Sequence, residues 1–149
     1  MKKLLCACAV LVAGCSSNPE TETPVQLLPG SYEVMAGGGT MVTLRGGERR
    51  GLICIGADSA TMFKSDPLAQ VTADWEDCSD EYADPKGNAL SGTRRCDRKT
   101  PVLVTYTGSH TADSFEFKGT VSQGSDETGA VMRLGSGDFT VTGKRKGDC

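Results

Sequence analysis

Seven cysteines are spread along this 149-residue chain, at Cys6, Cys8, Cys15, Cys54, Cys78, Cys96 and Cys149. Their number and spacing limit the fold before any pattern of hydrophobicity is considered. No C-x-x-C pair occurs and only one histidine accompanies them, so a tetrahedral Cys/His zinc site is not expected. An odd number cannot all pair, so at least one thiol has another fate. Hydrophobic residues at 38% and aromatics at 5% allow only a modest core. Cross-links are the usual supplement to a core of that kind in exported domains.

The fate of three cysteines is read from the N-terminus, MKKLLCACAVLVAGC. Lys2 and Lys3 form a positive start, and Leu4 to Gly14 form an apolar run. That run is too short for a bilayer-spanning helix, which needs about 20 residues, but it suits the core of a signal peptide. Leu11-Val12-Ala13-Gly14-Cys15 resembles the lipobox of bacterial lipoprotein signal peptides. The resemblance implies cleavage before Cys15 and a lipid thioether on its sulfur. Cys6 and Cys8 then leave with residues 1–14. Ser16, rather than Asp, follows the lipidated cysteine, which by resemblance to Gram-negative lipoproteins implies the inner leaflet of the outer membrane. Two or more acyl chains give stable anchoring. Residues 15–29, rich in Ser, Thr, Glu and Pro, read as lipidated cysteine and flexible tether. Val25, Leu27 and Leu28 are where docking onto the domain would begin.

Four cysteines remain for residues 30–149: Cys54, Cys78, Cys96 and Cys149. An even number in an exported chain implies two disulfides, with three possible connectivities. Pro85-Lys86-Gly87-Asn88 is a strong turn signal. Folding the chain about Gly87 sets Cys78 opposite Cys96, Asp80 opposite Arg94 and Glu76 opposite Arg98, with Asp77 and Asp97 a like-charged mismatch. Opposite charges across antiparallel strands are mildly stabilising. The expected pairs are therefore Cys78–Cys96 and, by remainder, Cys54–Cys149.

Nineteen glycines, well above the usual share of about 7%, punctuate the rest. Tyr32 and Val34, Met41 to Leu44, Gly51 to Ile55, 102–107, 113–121, Ala130 to Leu134 and Phe139 to Val141 read as short strands. Gly37-Gly38-Gly39, Gly46-Gly47, Gly108-Ser109-His110 and Gly135-Ser136-Gly137 read as the breaks between them. Asp58 to Phe63 reads as one helical turn capped by Asp58 or Ser59 and bounded by Pro67. The expected fold is mainly β: an antiparallel meander curling into a small barrel or half-barrel, with one short helix and two disulfides.

The order of these features resembles domain-of-unknown-function family 3617. The residues that carry it are Pro29-Gly30-Ser31-Tyr32-Glu33-Val34, Cys54 before the short helix, Cys78, Gly87-Asn88 and Cys96. Thr107-Gly108, Asp113-Ser114-Phe115 and the closing Lys144-Arg145-Lys146-Gly147-Asp148-Cys149 complete it. Tyr32 stands where a tryptophan is common in that family. The resemblance implies an exported, disulfide-bonded β domain over about residues 29–149, and supplies no activity.

A formal net charge of −3 excludes a generally basic nucleic-acid binder. His110 is the one place to look for a catalytic base, with Ser109, Asp113 and Ser114 near it in sequence. Sequence proximity is not triad geometry, and no G-x-S-x-G elbow is present. His110 is expected in an exposed turn, with a ligand contact as its functional alternative. Arg45, Arg49 and Arg50 form a basic loop suited to an acidic partner or anionic head groups. Trp75 is expected against the Cys78 disulfide or as a binding anchor. The acidic stretch from Asp74 to Asp84 lacks EF-hand spacing. No catalytic residue, metal or cofactor is expected. The function expected is a lipid-anchored periplasmic binding module for an envelope protein or a small apolar ligand. The alternatives are an inhibitor of lysozyme-type hydrolases, which the chain resembles in size, lipidation and β-rich build, and a hydrolase resting on His110.

Overall fold

A computed structural model describes residues 25–38, 42–44, 47–72, 77–82, 87–97, 100–125 and 132–149. Seven strands and two short helices are built from them. In chain order these are β1 (Gly30–Gly38), β2 (Arg50–Ile55), α1 (Ala57–Met62), α2 (Pro67–Val71), β3 (Cys78–Tyr82), β4 (Ala89–Cys96), β5 (Val102–His110), β6 (Ser114–Ser125) and β7 (Met132–Gly147).

The strands form one sheet in the order β2-β1-β7-β6-β5-β4-β3, antiparallel at every junction. From β3 to β7 the chain is a plain meander. β1 then pairs with β7, so the first strand of the domain locks onto the last. The sheet stays open, with β2 and β3 as its ends.

Alternation gives the sheet a core face and a solvent face. Tyr32 and Val34 of β1, Val104 and Tyr106 of β5, Phe115 and Phe117 of β6, and Phe139 and Val141 of β7 are buried. Thr105, Thr107, Lys118 and Thr120 point the other way and are exposed. Ala60, Phe63, Leu68 and Val71, from the helical segment, join the same core cluster, as do Leu27, Val42 and Leu44. Burying each large apolar side chain contributes roughly 1.5–3 kcal/mol.

Glycines lie inside the strands as well as between them. Gly92, Gly119 and Gly143 stand directly opposite Tyr106, Phe139 and Phe115 on the neighbouring strands. A Cβ at any of the three would overlap the facing ring. At Gly108 the approach is by the Glu116 carbonyl oxygen and by Cα and Cβ of Phe117 instead, and at Gly119 the Thr105 carbonyl oxygen comes closer still than the ring. Few aromatics thus cover a wide face, because glycine lets each ring cover its neighbour.

This use of glycine corrects several expected boundaries. Gly108-Ser109-His110 is no turn but the end of β5. The chain reverses at Thr111-Ala112-Asp113, where Thr111 Oγ1 accepts from the backbone N–H of Asp113 (3.3 Å) and of Ser114 (3.1 Å). Gly135-Ser136-Gly137 likewise lies within the continuous β7, and Gly37 and Gly38 belong to β1. Met41 lies outside the described residues, and Leu44 makes only an isolated bridge to Thr72. The expected helix exists one residue earlier at each end, with Gly56 at its N-cap and no side-chain cap. A second helix follows it. Asp66 caps α2 by accepting from Ala69 N–H at 3.0 Å, and Pro67 occupies its first turn. Asp-Pro is thus a start signal where a stop was expected.

The disulfides join Cys54 to Cys149 and Cys78 to Cys96. The β3–β4 register is the one centred on Gly87, with Cys78 opposite Cys96 and Asp80 opposite Arg94. Asp77, where like charges would meet, takes a positive φ of 57° at the strand's start, and its carbonyl accepts from Asp97 N–H. Aspartate tolerates that backbone better than most residues.

Candidate functional site

The N-terminal segment Val25–Pro29 runs across the β5–β6 end of the sheet. Leu27 is fully buried, while Val25 and Leu28 are 44% and 49% exposed. Val25 N–H donates to Asn88 Oδ1, Leu28 N–H donates to the Ala112 carbonyl, and the Tyr32 hydroxyl donates to the Leu28 carbonyl at 2.6 Å. The start of the domain is therefore a strap pinned at several points.

Between this strap, α1 and the end of β5 lies a pocket of about 190 Å³. Val25, Gln26, Leu27, Ala60, Thr61, Phe63, Lys64 and His110 line it. An apolar protein cavity of about 150 Å³ holds benzene, which sets the scale of what fits. Gln26 Nε2 donates to Thr61 Oγ1 at 3.0 Å, and the Thr61 hydroxyl donates to the Ala57 carbonyl. Among the described residues no acidic side chain lines this pocket.

His110 is 5% exposed, so the expected solvent-exposed turn histidine is instead a wall of this pocket. The reason lies in strand parity: Val102, Val104, Tyr106 and His110 are all even-numbered positions of one strand, and β5 carries the ring onto the core face. The ring meets Phe63 edge-on at 6.4 Å between centroids. Its Nδ1 lies 3.2 Å from the Thr111 carbonyl oxygen. Its Nε2 is buried and has no hydrogen-bond partner among the described residues. Ser109, Asp113 and Ser114 make no hydrogen bond to the ring; Asp113 and Ser114 are instead held by Thr111 Oγ1, at 2.8 and 2.7 Å.

A second hollow, about 240 Å³, sits at the same turn, lined by Ser109, Thr111, Ser114, Glu116 and Thr142 with His110 and Phe115. The Thr111 and Ser114 hydroxyls there are already spent on holding the turn. The first pocket is thus the better candidate.

The other expected binding residues are dispersed. Arg49 donates to the Ala36 carbonyl at 3.3 Å and to the Gly38 carbonyl. Arg50 pairs with Glu33, which also takes Lys146 at 2.8 Å. Lys146 and Arg50 together hold the Glu33 carboxyl down at about 2. Both arginines are therefore turned back onto β1 rather than presented as a free basic tip. Arg45, Trp75 and Cys15 lie outside the described residues.

A buried charged group sits at the far edge of the sheet. Arg94, 6% exposed, donates through Nε to Asp80 Oδ1 at 2.6 Å and through Nη2 to Asp80 Oδ2 at 2.8 Å. Nη2 also reaches Asp66 Oδ1 at 3.3 Å, tying the α2 cap to the sheet. The Tyr106 hydroxyl is buried without a hydrogen-bond partner among the described residues. Burial, then Asp66 and Asp80, push its ionisation well above the usual tyrosine range.

Sequence reasoning names His110, expects Val25 and Leu27 to dock on the domain and places Phe63 on a helical turn, but does not bring them together as one pocket. The available signal was the even-numbered face of β5 running on through Gly108. No group of three or more His, Cys, Asp or Glu able to hold a metal occurs among the described residues, and none of their helices is long and apolar enough to cross a membrane. No curated protein and no solved structure matches the chain. One family model does, described as a protein of unknown function (DUF3617), over residues 20–149. That span takes in the strap, every strand of the sheet and both disulfides, and the chain belongs to the DUF3617 family.

Proposed function

We propose that this domain is a ligand-binding module of the bacterial envelope, held to the inner leaflet of the outer membrane by lipid on Cys15 and facing the periplasm. The observation that supports binding is the strap-walled pocket, one wall of which is His110, whose buried Nε2 has no hydrogen-bond partner among the described residues. A buried polar atom left unpaired costs roughly 1–3 kcal/mol, and a ligand that satisfies it recovers that loss on binding. Apolar walls with one such anchor are the usual make-up of a small-molecule site. The reading requires no catalytic group.

The proposed anchor agrees with the place of the pocket. Nine residues lie between Cys15 and Val25, which sets the two no more than about 35 Å apart along a fully extended chain. The strap that walls the pocket would thus lie close to the membrane, within reach of small molecules that partition there.

Native mass spectrometry of the protein purified from envelopes tests the reading. A small bound mass is expected on the wild type and is lost in a variant whose pocket is filled by Ala60→Phe. A bound mass that survives Ala60→Phe, with the circular dichroism of the fold intact, would place the ligand elsewhere. Anchoring is tested separately: Cys15→Ser should release the protein from membranes, and retention in the membrane fraction would contradict it.

A further inference from the structure

The hydrogen bonding of His110 also restricts the chemistry of the ligand, granted the reading of the pocket as the binding site. The Thr111 carbonyl can only accept, so Nδ1 is the ring nitrogen that carries hydrogen. In the neutral ring that leaves Nε2 as a bare lone pair. Nε2 is thus a buried acceptor on a residue that walls the pocket, where Gln26 Nε2 and the Thr61 hydroxyl are already engaged with each other and with the Ala57 carbonyl, and Lys64 is the charged residue of the lining. The group that completes it must be a donor.

We infer that the pocket takes a small, mainly apolar molecule carrying one O–H group, a phenol or a short aliphatic alcohol, with the hydroxyl donating to His110 Nε2. The walls that meet the rest of the molecule are Phe63, Leu27, Val25 and Ala60. A volume of about 190 Å³ suits a single ring or a short chain. The first two residues of the strap are the wall that yields. Among the described residues Val25 and Gln26 are held by exposed hydrogen bonds to Asn88 and Thr61, whereas Phe63 is fixed against Phe115 at 4.7 Å. Entry under the strap brings the hydroxyl to a nitrogen that is otherwise shielded from water.

Calorimetric titration of the intact protein with phenol, anisole and benzoate tests the assignment. Phenol and anisole differ in the O–H donor, so phenol should bind at least about tenfold more tightly. His110→Phe keeps a ring against Phe63 but removes the acceptor, and should bring the phenol-to-anisole ratio close to one. A purely structural histidine would weaken both probes together. Equal binding of phenol and anisole to the wild type would overturn the O–H assignment while leaving the pocket as the site, and so would tighter binding of benzoate. Failure of all three probes to bind would overturn the pocket itself.

Discussion

The ring of Phe115 on β6 covers Gly143, its register partner on β7, so closely that a single added methyl group at Gly143 would enter the ring. Overpacking of this kind in a filled core costs roughly 1–3 kcal/mol. Gly143→Ala should destabilise the domain by that amount. In a Phe115→Leu background the added cost should fall by half or more, because the ring that clashes is gone. Urea unfolding of the four proteins gives the cycle; additive losses would mean that the two positions do not depend on each other.

Arg94 and Asp80 form a two-bonded pair with little access to water. Removing Asp80 takes both short bonds from the buried Arg94 and leaves it the longer one to Asp66, so a cost near the lower end of the roughly 3–5 kcal/mol of a broken buried pair is expected. Asp80→Ala is therefore expected to be far more damaging than loss of a surface carboxylate. Asp66→Ala should cost less, about 1–2 kcal/mol, since it removes a helix cap and a longer ion pair. Thermal melts that ranked Asp66→Ala as the worse variant would contradict this arrangement.

The two disulfides close loops of very different length. Cys54 and Cys149 are 95 residues apart in sequence, Cys78 and Cys96 only 18. Chain-entropy arguments give about 4.7 kcal/mol for closing a loop near 100 residues and about 3 for one near 15. Cys54→Ser with Cys149→Ser should thus lose more stability than Cys78→Ser with Cys96→Ser. The reverse order in denaturant unfolding would show that the short bridge acts by fixing the β3–β4 register instead.

Glu33 supplies a pH signature. Lys146 and Arg50 hold its carboxyl at about 2, below the ordinary carboxylate range near 4.3. A depressed folded value means that the ion pairs stabilise the fold fully above the unfolded value. That stabilisation fades as pH falls from there through about 2. The gap between wild type and Glu33→Gln should accordingly be constant near neutrality and vanish at the acid end. Salt should shrink it, because the cluster is exposed. A gap that widens on acidification would have the wrong sign.

The parts of this molecule legible in its sequence are those where one local rule acts alone. The β3–β4 hairpin is an example: the cysteines and charges counted outward from Gly87 give the register found. Glycine was the harder residue, because one letter serves two purposes. At Gly87 it relieves a positive φ of 61° in a turn, whereas at Gly108, Gly119 and Gly143 it makes room for a neighbouring strand or ring. Only the partner strand reveals which purpose applies, so the sequence pattern ends β5 too early and points His110 to solvent. The pocket was beyond sequence for a related reason. Leu27, Phe63 and His110 are brought together by long-range pairing and by a strap whose hydrogen bonds span tens of residues.

His110 is the sole histidine of the chain, so histidine-selective ¹⁵N labelling reports on one ring without assignment. A long-range proton–nitrogen correlation spectrum of the untagged protein at neutral pH therefore tests the buried acceptor directly. The structure predicts hydrogen on Nδ1, a bare Nε2, and a shift of Nε2 alone when phenol is added. Hydrogen found on Nε2, or an Nε2 signal indifferent to phenol at saturating concentration, would contradict the pocket as a site built around that acceptor.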